Sequence, residues 1–229
     1  MDRTIVWWGI VSAAVVAPRL SAQADLPVTP NCSSCAEWNT PQASFRIFGN
    51  SYYVGPRGLG SILITSDAGH VLIDGGLMES ARIIAANIRT LGFLVEDIKL
   101  IINSHVHFDH AGGIAELQRL SGAAVAASPA SATVLERGKV GPDDPQSGAL
   151  AEIAPVGRVR RIADGETLRL GSVAVTAHFT PGHTPGGTSW SWEACEERRC
   201  LRIVYADSQT PVGRRWVLLL ERQIPQRGC

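Results

Sequence analysis

The sequence has little charge and no excess of either sign. Lys and Arg total 21, Asp and Glu total 21, and the formal net charge is zero. No basic run or acidic tail breaks that balance, so nothing points to an electrostatic nucleic-acid partner. Low-complexity repeats are missing too. The N-terminal apolar run, Ile5 to Ala17, falls short of the roughly 20 residues a helix needs to span a bilayer. A dinucleotide fingerprint is also missing, because no helical pattern follows Gly58-Leu59-Gly60. Histidine is scarce, with six in all, so where the histidines fall is informative.

What is present suits one globular domain. A chain of 229 residues, 45% hydrophobic, can bury a sizeable core. Its start reads as export chemistry: Arg3, the apolar run, then Ala22-Gln23-Ala24 as a small-x-small cleavage site. Residues 1–24 are therefore expected to be a signal peptide, with an uncleaved anchor as the alternative. The mature protein is expected in an oxidising compartment, periplasmic or secreted, and as a monomer. There, Cys32 with Cys35 and Cys195 with Cys200 could each close a small local disulfide. A structural zinc site joining the two pairs is the other reading. Cys229 is left over.

Residues 25–43 hold three prolines and read as an extended lead-in. Short strands are expected over Phe45 to Val54, Ser61 to Thr65 and Val71 to Ile73. Helical spacing runs from Glu79 to Leu91, with Ile83, Ile84, Ile88 and Leu91 on one side. Lys99 to Ile102 is a short buried strand, Asn103 to Gly113 a loop, and Ile114 to Leu120 a helix. A strand at Ala123 to Ala127 and a helix at Ser131 to Arg137 follow. Residues 138–157, rich in Gly and Pro, read as a long surface loop. Strands then return at 158–162, 167–170, 173–179, 188–192 and 201–205. Strands, helices and strands again predict an α/β sandwich.

The informative segment is Asn103-Ser104-His105-Val106-His107-Phe108-Asp109-His110-Ala111-Gly112-Gly113. It leaves a buried strand and enters a helix, so a rigid strand end aims it at one place. His105 and His107, two apart in extended chain, face the same way. Asp109 and His110 lie where the chain turns, and aim at a second point nearby. Four ligand-type side chains in six positions suggest two adjacent metals. His183, in the stiff loop Thr180-Pro181-Gly182-His183-Thr184-Pro185-Gly186-Gly187, would complete a three-histidine set with an open fourth position. His70 and His178 have no companion ligand and read as structural.

His105-Val106-His107-Phe108-Asp109-His110 resembles the H-x-H-x-D-H signature of the metallo-β-lactamase superfamily. Residues 45–55, Gly69 to Gly75, the His183 loop with Thr188-Ser189-Trp190-Ser191-Trp192, and Val204-Tyr205-Ala206-Asp207-Ser208 resemble class B β-lactamases of the third subclass. The resemblance covers roughly residues 36–212 and implies an αββα sandwich with two zincs between the sheets. It implies His105, His107 and His183 on the first zinc, and Asp109 and His110 on the second. It implies Ser208 and Thr210 as contacts to the carboxylate of a small-molecule β-lactam, and a Cys195–Cys200 disulfide. The activity implied is opening of the β-lactam ring of antibiotics through a zinc-bound hydroxide, with Asp109 as catalytic residue. Hydrolysis of another ester, thioester or lactone is the alternative, as is an inactive zinc-binding remnant. Asp74 is either a partner that orients a ligand histidine or a simple turn carboxylate.

Departures from the pattern carry expectations too. Gln209 stands where the family usually has leucine. No histidine follows His183 in this sequence, whereas the family's second zinc takes a third ligand from a later one. After Pro211-Val212 the resemblance stops. The expected division is residues 25–212 as an incomplete domain and 213–229 as a divergent tail from a truncation or frameshift. A shortened family member is the alternative. The second zinc is expected to bind weakly, and part of a sheet to be left with an uncovered apolar face.

Overall fold

A computed structural model of the chain describes residues 32–210 and Val212. The expected signal peptide, the tail 213–229 and Cys229 lie outside the described residues. Eleven strands form two sheets among the described residues. The first takes β1 (Phe45–Phe48), β2 (Ser51–Tyr53), β3 (Ile62–Ser66), β4 (Gly69–Ile73), β5 (Ile98–Ile102), β6 (Ala124–Ala127) and β7 (Val159–Arg161), side by side in chain order. Its first four strands are antiparallel, and β4 to β7 run parallel. The second sheet holds β8 (Thr167–Leu170), β9 (Val173–Phe179), β10 (Thr188–Glu196) and β11 (Arg199–Tyr205), antiparallel in the order β11-β10-β9-β8.

The parallel strands read as continuous apolar runs because both faces of the first sheet are covered. Ile62, Ile64, Val71, Ile73, Ile102 and Ala126 point one way, onto Val175, Ala177, Trp190 and Trp192 of the second sheet. Leu63, Leu72, Ile101 and Val125 point the other way. There they meet α2 (Ser80–Thr90) through Ile84 and Ile88, α4 (Ile114–Ser121) through Leu117, and α5 (Pro129–Arg137) through Leu135. Two further helices are short: α1 (Cys35–Trp38), near the start of the described chain, and α3 (Phe108–Ala111), within the metal-motif segment. The described layers are thus helix, sheet and sheet, as expected of this α/β sandwich.

Several boundaries differ from the sequence reading. The segment Phe45 to Val54 is a hairpin, because Gly49, at φ 54°, turns the chain. Gly49 also lies against the Cys195 backbone, where a Cβ would stand 2.7 Å from its oxygen. Helix α5 starts two residues early, with Ser128 accepting from the Ser131 N–H and Pro129 at the first position. The loop 138–157 is only partly a surface loop: Ile153 and Val156 join the core, and Asp144 is buried. The outward face of the second sheet carries Thr176, His178, Ser191 and Glu193, with Val204 its exposed large apolar side chain. That face is thus mostly polar, while Phe45 and Ile47 of β1 in the first sheet are exposed apolar side chains.

Both local cysteine pairs are disulfides, Cys32–Cys35 and Cys195–Cys200. The alternative of a zinc site joining them is overturned. Cys195 and Cys200 face each other at the tip of the β10–β11 hairpin. Cys35 packs with Leu59 and Leu77 in a small apolar cluster.

Candidate metal centre

Close backbone contacts fix the C-terminal end of the motif loop. Gly75 N–H donates to the His110 oxygen at 2.7 Å, and Gly113 N–H to the Gly76 oxygen at 3.2 Å. A Cβ on Gly113 would stand 2.3 Å from the Gly75 oxygen, so only glycine allows this approach. Strand β5 therefore delivers His105 and His107, and α3 begins directly after them with Asp109 and His110 in its single turn.

His183 comes from the turn between β9 and β10. The Gly186 carbonyl in that turn accepts from Ser128 Oγ at 2.7 Å and Ser131 Oγ at 2.9 Å, which ties it to the start of α5. Gly187 is required by what passes beside it: a Cβ there would lie 2.3 Å from Asp207 Oδ2. One candidate ligand atom from each of His105, His107 and His183 lies within 4.8 Å of the other two. His105, Asp109 and His110 meet the same criterion. His70 and His178 stand apart, as read: His70 packs edge-on to Phe93, and His178 pairs with Ser191 Oγ at 2.7 Å.

Each of the four clustered histidines has one ring nitrogen anchored, and each anchor is different. His105 Nδ1 meets Asp207 Oδ1 at 2.8 Å. His110 Nδ1 donates to Asp74 Oδ2 at 2.9 Å. His183 Nδ1 donates to the Thr210 carbonyl at 2.9 Å. His107 is reversed, with Nε2 against Asp144 Oδ2 at 3.1 Å. Among His105, His107 and His183, the ring nitrogens not taken by these anchors are Nε2 of His105, Nδ1 of His107, which has only a long 3.4 Å contact to Gln146 Nε2, and Nε2 of His183. His105 Nε2 is buried and has no hydrogen-bond partner, which normally costs free energy. A metal ion accounts for that orphan, and three imidazole nitrogens are a suitable donor set for one. For a second ion, Asp109 Oδ2 and His110 Nε2 stand 3.7 Å apart and supply two donors.

The electrostatics favour neutral imidazole at the deepest ligand. Burial, with His110 and His107 beside it, pushes the His105 conjugate acid down to about 2. Burial pushes Asp207 up to about 7. For Asp144, burial acts against the charge, but bonds from His107 and the Gln146 N–H outweigh it and hold the carboxyl below its usual range. Asp74 behaves alike: fully buried, it is nevertheless held low by His110 and by two bonds from Ser104. His110 is correspondingly raised, since Asp74 overcomes the desolvation of its ring. Asp74 is thus the histidine partner of the two readings left open for it, with a left-handed backbone, φ 60°, directly after β4.

Sequence reasoning missed Asp144 and Asp207 as anchors. Asp207 was visible in the Tyr-Ala-Asp-Ser stretch, but its role depends on a contact 102 residues away. Asp144 sits in the loop read as surface, 37 residues from His107, and no local pattern marks it. Ser208 and Thr210 follow Asp207 on the strand end that reaches the centre. The Thr210 contact that the structure places there is its backbone carbonyl.

The Metallo-beta-lactamase superfamily model matches residues 54–193, which include the whole motif loop and His183. The Rm3 metallo-beta-lactamase structure is similar at 60% identity and a TM-score of 0.80, over 82% of this chain and 70% of that one. A subclass B3 metallo-beta-lactamase isolated from a soil metagenome library is similar at 56% identity and a TM-score of 0.77, over 78% of this chain and 67% of that one. A hydroxyacylglutathione hydrolase-like protein of Bos taurus is 35% identical over 113 residues, 49% of this chain and 46% of its own length. The chain spans less than half the length of the curated relatives it matches. Two-sheet architecture, a clustered three-histidine set and these similarities agree: the chain belongs to the metallo-beta-lactamase superfamily, among its subclass B3 members.

Proposed function

We propose that the protein is a zinc hydrolase that opens the β-lactam ring. The observation that carries this is the orphaned, buried Nε2 of His105, in a cluster where one ring nitrogen each of His105, His107 and His183 lie within 4.8 Å of one another. His105, His107 and His183 would hold the first zinc, and Asp109 and His110 the second. When bound, zinc supplies a Lewis acid for a carbonyl oxygen and lowers the pKa of a coordinated water to about 7. The chain's own residues supply aim. Asp207, Asp144 and the Thr210 carbonyl fix which nitrogen each histidine presents. The Asp109 carboxylate, partly open to solvent, is the catalytic group that orients the attacking water. Ser208 and Thr210, on the segment leaving β11, would position the substrate carboxylate. Water adds across the lactam C–N bond, giving a carboxylate and an amine, and no covalent acyl-enzyme is required.

Among the described residues the second site draws on Asp109 and His110 as side chains of its own, one fewer than the first, and on that count it would fill at higher zinc concentration. Export to the periplasm or beyond the cell fits the N-terminal pattern. Among the described residues no helix is long and apolar enough to cross a membrane.

Hydrolysis of a chromogenic cephalosporin by the purified chain tests this proposal. The expected result is turnover that a chelator abolishes and added zinc restores. Turnover of a hydroxyacyl-glutathione thioester with none of the cephalosporin would overturn the substrate assignment, and cephalosporin turnover indifferent to chelator would overturn the zinc assignment.

A further inference from the structure

Tyr205 closes β11 in the second sheet, yet its hydroxyl reaches the first. It donates to Asp74 Oδ2 at 2.9 Å, with the Gly60 carbonyl at 3.2 Å as a weaker second acceptor. A charged acceptor makes the Asp74 bond the stronger of the two. Room for the hydroxyl exists because Gly60 lacks a side chain: a Cβ there would stand 3.0 Å from the Tyr205 oxygen.

The same Asp74 oxygen also receives Ser104 Oγ at 2.6 Å and His110 Nδ1 at 2.9 Å. Asp74 Oδ1 takes the Ser104 N–H at 2.7 Å. The carboxylate is thus held from both sheets. A competing arrangement is close by. Ser104 Oγ lies 3.3 Å from His110 Nδ1, so a carboxylate that turned away would leave His110 a hydroxyl to bond instead. A hydroxyl both donates and accepts. Unlike the carboxylate, it therefore does not enforce a proton on His110 Nδ1.

We propose that Tyr205 is a positioning residue for the metal centre: through Asp74 it locks His110 in the Nδ1–H form, with Nε2 turned toward Asp109. The strand that carries Asp207 to His105 at its exit thereby also fixes the second half of the site through its last residue. This rests on the assignment of Asp109 and His110 as metal ligands, but the tautomer itself can be read without metal.

The test is a long-range ¹H–¹⁵N imidazole spectrum of the metal-free, full-length chain, recorded at alkaline pH where the His110 ring is neutral, comparing wild type with Tyr205→Phe. The phenylalanine keeps the ring that packs between the sheets. Tyr53→Phe is the control, since that hydroxyl bonds the Pro56 and Leu59 carbonyls and not Asp74. Expected are a single Nδ1–H form of His110 in wild type and Tyr53→Phe, and a mixture or the opposite tautomer in Tyr205→Phe. Zinc binding at the weaker site should also fall about 10- to 100-fold, as for other partners of ligand histidines, with the tighter site unchanged. Unchanged His110 resonances in Tyr205→Phe would overturn the proposal. Should Tyr205→Phe not fold, Gly60→Ala carries the test, because its Cβ crowds the hydroxyl at 3.0 Å, so that the hydroxyl must shift by a few tenths of an ångström, and leaves the ring in place. A wild type that takes up one zinc only would count against the second metal site, while the tautomer comparison still decides the role of Tyr205.

Discussion

Replacing Asp144 by alanine would test the anchoring scheme where sequence offers least help. His107 is 2% exposed, and Asp144 holds its Nε2 at 3.1 Å. Removing the carboxylate leaves that nitrogen buried without its acceptor, a loss of about 1.5–3 kcal/mol of metal-free stability for a hydrogen bond involving a charged group. It also frees the ring to present either nitrogen, and loss of such a partner lowers metal affinity about 10- to 100-fold. With free zinc held at about 100 times the wild-type Kd, zinc should stabilise wild type by about 2.7 kcal/mol. For Asp144→Ala the same zinc gives about 1.4 kcal/mol at a tenfold loss and about 0.4 at a hundredfold loss. At about 2–4 °C per kcal/mol for a domain of this size, the zinc-induced rise in Tm drops from about 5–11 °C to about 1–6 °C. The assay is thermal unfolding with and without buffered zinc, with Kd measured by chelator competition. Asp144→Asn keeps an oxygen acceptor and should recover most of the affinity. A zinc Kd for Asp144→Ala within twofold of wild type would refute the idea that Asp144 aims His107.

Two further substitutions probe the frame around the centre. Gly187→Ala puts a Cβ 2.3 Å from Asp207 Oδ2 and 2.7 Å from the Thr180 oxygen, so Asp207 must leave His105. Urea unfolding should show a loss of about 1–3 kcal/mol, with zinc affinity lowered alongside, and wild-type zinc affinity would contradict the crowding argument. Changing Cys195 and Cys200 together to serine opens a loop so short that chain entropy supplies only about 2 kcal/mol. The urea midpoint should fall accordingly while zinc affinity stays at the wild-type value, because the bond lies at the hairpin tip and not at the centre.

Much of the fold could be read locally because its signals are local. The period of α2, the apolar runs of β4 and β5 and the alternation of β9 each reflect which faces are buried. Boundaries slipped where a long-range contact decided them. Gly49 turns what reads as one strand into a hairpin beside Cys195, and β10 runs on to Glu196 because β11 pairs with it to the end. The loop 138–157 shows the same limit, since nothing in its composition reveals that Asp144 turns inward.

The sequence by itself singled out the candidate ligands. Three histidines and an aspartate crowded into His105 to His110, with His183 in a stiff glycine-proline loop, leave few uses other than a metal centre, because each buried imidazole needs a polar partner or an ion. The sequence also offered the two cysteine pairs, whose members lie within five residues of one another, and the structure decided for disulfides over a shared zinc site. Only the tertiary structure decided which nitrogen each histidine offers. That choice rests on Asp207, Asp144, Asp74 and the Thr210 carbonyl, which come from four separate segments. Hydrogen bonds act over about 3 Å, so residues far apart in the chain become partners only when the packed sheets bring them that close.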